Sequence, residues 1–526
     1  MTTMEAPFRR VLVANRGEIA VRIIRACHEL GMEAVAVFSD ADTDAAHVRL
    51  ADHAVRLGPA APAESYLRID AILDAAKSTG CEAIHPGYGF LAERAAFARA
   101  AEEEGIVFVG PTSDAIEALG DKLHARRLAA TIGVPSVPGT LEPAPVQHPD
   151  KVAELIATAR GIGFPLLVKA AAGGGGRGMR RVAREDELAA ALVSGSREAL
   201  SAFGDGSVYL EREILPARHI EVQLLADHHG QVVALGERDC SLQRRHQKLV
   251  EEAPAPGLTE AERRHLHGLA VRMGAAAGLR NAATCEFLMD PEGSFWFLEV
   301  NTRLQVEHGV TELVSGVDIV REQFRIASGQ PLSPEVVAAG ERAAVPSSHA
   351  IEVRISAEDP SRAFAPTPGR VGRWVMAAGP GIRVDTHVEA GARIPADYDN
   401  LIAKLMVHAH DRDAALDRLR RALDETEVGG VQTTLPFHRV VARSDAFRDG
   451  RLSTGWVEEH WDGTAARADA VRRALLACGL TSIAAGPAPA GMRASEALPW
   501  DGGPQPSHGS GWRRSGRADG ADRWPR

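Results

Sequence analysis

Hydrophobic and polar positions along this chain change their rhythm in three successive regions. From Arg10 to Val109, short apolar runs alternate with segments of helical spacing. Arg10–Asn15 and Glu33–Ser39 read as strands, and between them Gly17–Leu30 sets Ile19, Ile23, Cys27 and Leu30 on one helical face. Ala54–Leu57, Ala83–His85 and Val107–Val109 repeat the strand pattern, so this part is expected to be a parallel α/β layer of Rossmann-like form. Its first turn, Asn15-Arg16-Gly17-Glu18, lacks the three-glycine dinucleotide fingerprint, which disfavours a nicotinamide or flavin dehydrogenase.

A second region runs from about Asp121 to Pro331, and its first stretch, Pro135–Asp150, is rich in Pro and polar residues and expected to be a hinge. Strands at Phe164–Ala170, Met179–Val182 and Ser207–Arg212, with a helix at Asp186–Leu200, form a small subdomain spanning about 136–212. A further hairpin is expected from Ala283–Leu288 and Ser294–Asn301, which alternate around the turn Asp290-Pro291-Glu292-Gly293. The third region, about His349–Arg443, mixes strands at Ala350–Ile355 and Leu401–Ala409 with a helix at Arg412–Glu427 and reads as a separate α+β unit. The Gly, Pro, Ser and Arg-rich residues 485–526 carry too little apolar content for a core and are expected to be unstructured.

Composition narrows the functional classes. The 526 residues suggest roughly three domains, and 45% hydrophobic with 25% charged residues is ordinary for packed cores. A formal net charge of -10 argues against nucleic acid as a partner. The polar start at Met1–Arg10 has no apolar stretch suited to a signal or a membrane span, and the five scattered cysteines suggest neither disulfides nor zinc, so a cytoplasmic location is expected. Only six of the 60 basic residues are Lys: Lys77, Lys122, Lys151, Lys169, Lys248 and Lys404. A compact ammonium kept against that bias marks a candidate phosphate or anion contact, or simply a leftover surface residue.

Three segments carry candidate chemistry. Gly173–Gly178, flanked by Lys169 and Arg177, offers unobstructed backbone N–H groups to a triphosphate; it is no Walker A loop, and a plain linker is the alternative. In the hairpin, an even four-residue loop would place Glu286, Glu299 and Asn301 on one face, three hard oxygen donors suited to Mg²⁺ or Mn²⁺, with Phe295 and Phe297 excluding water around them. Next come Asn301–His308 and, upstream, Gln243–Lys248. There Arg303 and Lys248 suit a small anion such as bicarbonate, and Glu307 among cations would stay ionised as a general base; a surface ion-pair network is the alternative.

These residues, with Arg10–Ile24, His85–Glu93, Val109–Lys122, Val168–Arg181, Arg238–Pro256, Phe297–Glu312 and Ile351–Pro360 in order, resemble a biotin carboxylase of the ATP-grasp superfamily. The resemblance implies an N-terminal domain at 8–120, an ATP-grasp domain at 121–335 with a mobile glycine-rich lid, and a C-terminal biotin carboxylase domain at 348–456. It implies that Lys122 and Lys169 bind ATP phosphates, that Gly175 and Gly176 lie in the lid, and that Glu211, Arg212, Glu213 and Ile214 line the adenine hinge. His219, Gln243 and His246 would complete the nucleotide site. Glu286, Glu299 and Asn301 would hold two Mg²⁺ or Mn²⁺ ions; Lys248, Arg303, Gln305 and Val306 would hold bicarbonate beside the base Glu307; Arg354 would stabilise biotin as an enolate.

The implied reaction passes through carboxyphosphate to carboxybiotin. The chain has no Ala-Met-Lys-Met-type biotinylation sequence, so the resemblance implies a separate biotin carboxyl carrier protein and a carboxyltransferase subunit, together an acyl-CoA carboxylase, with a homodimer as the family's usual form. One departure is Gly309 where the family has Pro, expected to loosen the backbone beside Glu307. Another ATP-grasp ligase, or a scaffold that binds nucleotide without catalysis, are the competing readings.

Overall fold

The structure, a computed structural model, describes residues 6–146, 149–171 and 179–484. The glycine run with Gly175 and Gly176, and the segment 485–526, lie outside the described residues.

Apolar strand runs in the N-terminal region do pair in parallel. The sheet runs His53–Gly58, Glu33–Ser39, Arg10–Val13, Ala83–His85, Val107–Phe108, and helix Gly17–Glu29 packs Ile19, Ile23 and Cys27 into its core. Gly17 takes φ +70° where the chain turns from strand to helix, a conformation that suits glycine. This turn sets Glu18, buried, at the start of the helix.

The larger sheet has eight antiparallel strands. Its order is Phe295–Asn301, Asn281–Met289, Arg218–Ala226, Val232–Arg244, Gln247–Ala253, His349–Ser356, Leu401–Ala409, Ile382–Thr386. The C-terminal strands therefore join the sheet of the second region and do not form a sheet of their own. Val250 pairs with Val353, so the sheet crosses from the second region to the third without a break.

Alternation assigns the two faces. In Arg218–Ala226, Ile220, Val222 and Leu224 pack with Leu266, Leu269 and Met273 of helix Glu260–Ala276, which starts at a Thr259/Glu262 capping box. His219, Glu221 and Gln223 point to the other face, where helix His308–Ser315 crosses.

The hairpin differs from expectation in one instructive way. Met289 pairs with Phe295, so five residues, not four, form the loop, and Phe297 falls opposite Phe287. Phe295 and Phe297 therefore join the core under helix Glu260–Ala276 and do not screen the acidic face. A β-bulge then shifts the register by one, and Glu299 returns opposite Glu286.

A four-stranded sheet, Ala144–Pro145, Ser207–Arg212, Leu166–Ala170, Arg180–Val182, is distinct from the eight-stranded one, with its strands and helix Glu185–Phe203 close to where the sequence pattern placed them. Helix Gly463–Ala484 follows the third region and anchors through Arg467 to Ser361. Among the described residues no helix is long and apolar enough to cross a membrane.

Candidate active site

Register builds the site. Glu299 lies opposite Glu286, Glu286 opposite Glu221, and Glu221 opposite Arg238, a single row across four strands. Adjacent carboxylates in register repel, so the row needs cations. A second β-bulge supplies one: between the pairs Gln243–Lys248 and Leu242–Val250 the register skips Leu249, which carries Lys248 onto the same face as Glu251.

The Lys248 ammonium then sits among three carboxylates. Its Nζ is 2.5 Å from Glu221 Oε2, 3.1 Å from Glu286 Oε1 and 2.6 Å from Glu307 Oε1. Arg354 binds the other Glu307 oxygen at 3.0 Å while donating through Nε to Glu251 at 2.6 Å. Glu307 precedes helix His308–Ser315, yet its side chain makes no capping bond, because both its oxygens are engaged by the sheet. Arg238, fully buried, donates to Glu221, Gln223, Thr284 and Thr311, and the last contact ties that helix to the row.

Electrostatics follow from these contacts. Burial opposes ionisation of Glu307, but Lys248, Arg354 and Arg238 together hold its carboxyl far below the usual range. For Glu286 burial is likewise overridden, chiefly by Lys248 and His219. His219 Nε2 lies 3.0 Å from Glu286 Oε2, and the carboxylate raises the imidazole's pKa against the effect of burial. Glu251 differs: burial dominates over Arg354 and pushes its carboxyl up to about 7.

The residues expected to hold an anion converge on the same row. Gln305 donates to Glu286 Oε1 at 3.2 Å and accepts from Arg303 at 2.8 Å, and Arg303 also reaches Asn301 Oδ1 at 3.2 Å and Glu93 at 3.0 Å. The Val306 carbonyl accepts from Lys404 at 2.7 Å. Asn301 turns its amide nitrogen to Glu286 at 2.8 Å and its oxygen to Arg303, so the oxygens facing the row come from Glu286 and Glu299.

The nucleotide side is built from two elements. Lys122, at the start of a helix capped by Asp121, reaches Glu299 at 2.7 Å, and its pKa is raised mainly by that carboxylate. Lys169 contacts Glu211, whose other oxygen takes Arg126 at 2.5 Å. Arg212 is exposed, Glu213 pairs with Arg181 at 2.6 Å, and Ile214 is half-buried in the same stretch. Gln243 is buried opposite Lys248, and His246, exposed, occupies the tight turn beside it with φ +65°.

Glu221, Arg238 and Glu251 were missed from sequence. The polar alternation His219-Glu221-Gln223 against Ile220, Val222 and Leu224 was the available signal for the first. Gly309 also behaves differently from expectation. A Cβ there would lie 2.3 Å from Met406 Sδ and 3.5 Å from Glu352 Oε2, so the helix start is packed tightly onto the sheet, not loosened.

Comparison with known proteins gives the family. Residues 7–116 match the family described as biotin carboxylase, N-terminal domain; 121–335 match the carbamoyl-phosphate synthase L chain, ATP binding domain; 352–459 match the biotin carboxylase C-terminal domain. A biotin carboxylase of Pseudomonas aeruginosa is 48% identical over 453 residues, 86% of this chain and 98% of that one. The biotin-dependent acyl-coenzyme A carboxylase alpha3 subunit of Mycobacterium leprae is 49% identical over 459 residues, 86% of this chain and 75% of that one. Among solved structures, the biotin carboxylase domain dimer of Hydrogenobacter thermophilus 2-oxoglutarate carboxylase, in complex with MgADP, ADP and bicarbonate, has a TM-score of 0.80 at 44% identity, covering 86% of this chain and 98% of that one.

Proposed function

The chain belongs to the biotin carboxylase family of ATP-dependent ligases, and from that premise we propose that it carboxylates biotin on a separate carrier protein with bicarbonate and ATP. The observation that carries the residue assignment is Lys248 bridging Glu221, Glu286 and Glu307, with Arg354 on the far oxygen of Glu307.

Glu307 is the base in this reading. The cations that keep it ionised also weaken it as a base. Bicarbonate entering between Lys248, Arg303 and Gln305 would take over part of their positive charge and return basicity to Glu307 as the proton has to move. The carbonate oxygen then attacks the γ-phosphate of ATP held by Lys122 and Lys169, giving carboxyphosphate and ADP. Its breakdown supplies CO₂ and a phosphate that takes the ureido proton of biotin, while Arg354 stabilises the enolate oxygen.

Glu286 and Glu299, hard oxygens already facing the ammonium groups of Lys248 and Lys122, fit Mg²⁺ or Mn²⁺, with Asn301 able to join by an amide flip. A bound divalent ion there would neutralise charge on the transferred phosphoryl group. His219, Gln243, His246, the Glu211–Ile214 stretch and the glycine run with Gly175 and Gly176 belong to the nucleotide side of the proposal.

The partner proteins of this reading are a biotin carboxyl carrier protein and a carboxyltransferase, as in an acyl-CoA carboxylase, with the enzyme itself a homodimer in the cytoplasm. Division into domains at 8–120, 121–335 and 348–456 is proposed on the same basis. ATP hydrolysis measured with and without bicarbonate and free biotin tests the whole. Hydrolysis should need bicarbonate and rise with biotin, and Glu307→Gln should lower it at least about a hundredfold. Turnover indifferent to bicarbonate and to Glu307→Gln would remove the assignment.

A further inference from the structure

Lys404 is one of the few lysines this Arg-rich chain retains, and the reaction above leaves it without a role. It is fully buried in the strand Leu401–Ala409, directly opposite Arg354 on one side and Asp385 on the other. Its ammonium reaches three groups: the Val306 carbonyl at 2.7 Å, Glu18 Oε1 at 3.2 Å and Asp385 Oδ2 at 3.7 Å. Asp385 has Arg383 as its own bidentate partner, at 3.0 and 2.9 Å. Among the described residues Glu18 otherwise takes only the Tyr88 hydroxyl, and its second oxygen has no hydrogen-bond partner there.

We propose that Lys404 is a positioning residue for the bicarbonate pocket, holding the Val306–Glu307 peptide in the one orientation that presents Glu307 to Lys248 and Arg354. The peptide is planar and trans, so fixing the Val306 carbonyl toward Lys404 fixes the Glu307 N–H the opposite way and the Cα from which the Glu307 side chain departs. Gln305 and Val306, also pocket residues, lie on the same short stretch, between the end of strand Phe295–Asn301 and helix His308–Ser315. Glu18, carried by the first helix, anchors the ammonium from the N-terminal region, so the pocket's backbone is set from that helix and from the large sheet at once. A compact ammonium suits a site that must serve a carbonyl and a carboxylate from one point, where a planar guanidinium would need a wider space.

This inference rests on the functional reading above, and its test separates the two. Steady-state ATP hydrolysis is measured for the wild-type chain, for Lys404→Met and for the double variant Glu18→Gln/Lys404→Met, titrating bicarbonate and ATP separately, with thermal unfolding alongside. The double variant removes Glu18, the nearest carboxylate that Lys404→Met alone would leave buried without its cation. Glu352, which also faces the ammonium but whose burial favours the protonated form, and Asp385, paired with Arg383, remain in both variants. It is expected to unfold within a few degrees of the wild type, to show a bicarbonate KM raised about tenfold or more, and to keep its ATP KM within about twofold. A double variant with wild-type bicarbonate KM would show that Lys404 serves only to neutralise Glu18 and would overturn the proposal. Failure of the double variant to fold would likewise assign Lys404 to stability alone. Wild-type turnover that ignores bicarbonate would overturn the functional reading itself, and this inference with it.

Discussion

Glu221 and Glu286 stand directly opposite one another on adjacent strands, both buried, and the Lys248 ammonium binds an oxygen of each. Two like charges in that register oppose strand pairing unless a cation is shared between them. Lys248→Met should therefore abolish turnover and also destabilise the fold by about 3–5 kcal/mol, since it strands Glu221, Glu286 and Glu307 together. Urea denaturation checks this. An unchanged midpoint would mean that Arg238 and His219 suffice to carry the row.

Neighbouring residues Glu251 and Glu252 should impose opposite pH dependences. Burial opposes ionisation of Glu252, but the His349 hydrogen bond and the Arg412 charge prevail and bring its carboxyl down from the ordinary 4.5 to about 2. Its stabilisation is thus present above about pH 4.5 and fades as pH falls toward 2. Burial raises Glu251 to about 7, so the stability linked to its proton is full below about 4.5 and is lost as pH rises through 7. Each effect is on the order of 3 kcal/mol. Denaturation curves from pH 3 to 8 should show Glu252→Gln converging on the wild type in acid and Glu251→Gln lacking the loss that the wild type undergoes between about pH 4.5 and 7.

Packing at Gly309 predicts a coupled pair. Gly309→Ala would press its methyl group against the fully buried Met406 side chain and should cost about 1–3 kcal/mol. Met406→Ala, costly alone, should cost less in the presence of Gly309→Ala, and a double-mutant cycle on thermal unfolding measures that coupling. Strict additivity would show that the helix start has room to spare.

Divalent-ion dependence can be read without turnover. MgATP at about a hundred times its Kd should stabilise the wild-type chain by roughly 2.7 kcal/mol, seen as a higher Tm. Glu299→Gln should lose most of that increment, and EDTA should remove it from the wild type. An increment that survives both would place the ion elsewhere.

Much of this site was legible in the order of residues, for reasons that can be named. Glu286, Glu299 and Asn301 alternate with apolar neighbours, and alternation reports the face of a strand. Phe295 and Phe297 were placed on the wrong side because a fifth loop residue and a compensating bulge leave no mark in that alternation. Arg238 and Glu251 sit in strands whose partners decide their neighbours, and register across separate segments has no local signature. Lys404 stood out only through the rarity of lysine; its contact with Val306 joins residues 98 positions apart, which no local pattern encodes.

The pairing of Gln247–Ala253 with His349–Ser356 has a further consequence for anyone dividing the chain. A fragment ending near residue 345 would leave the strand that carries Lys248 and Glu251 as an open edge, its unpaired backbone groups free to recruit a second copy. It would also lose Arg354 and Lys404 from around Glu307. Such a fragment should aggregate, and catalysis and solubility should fail at the same cut.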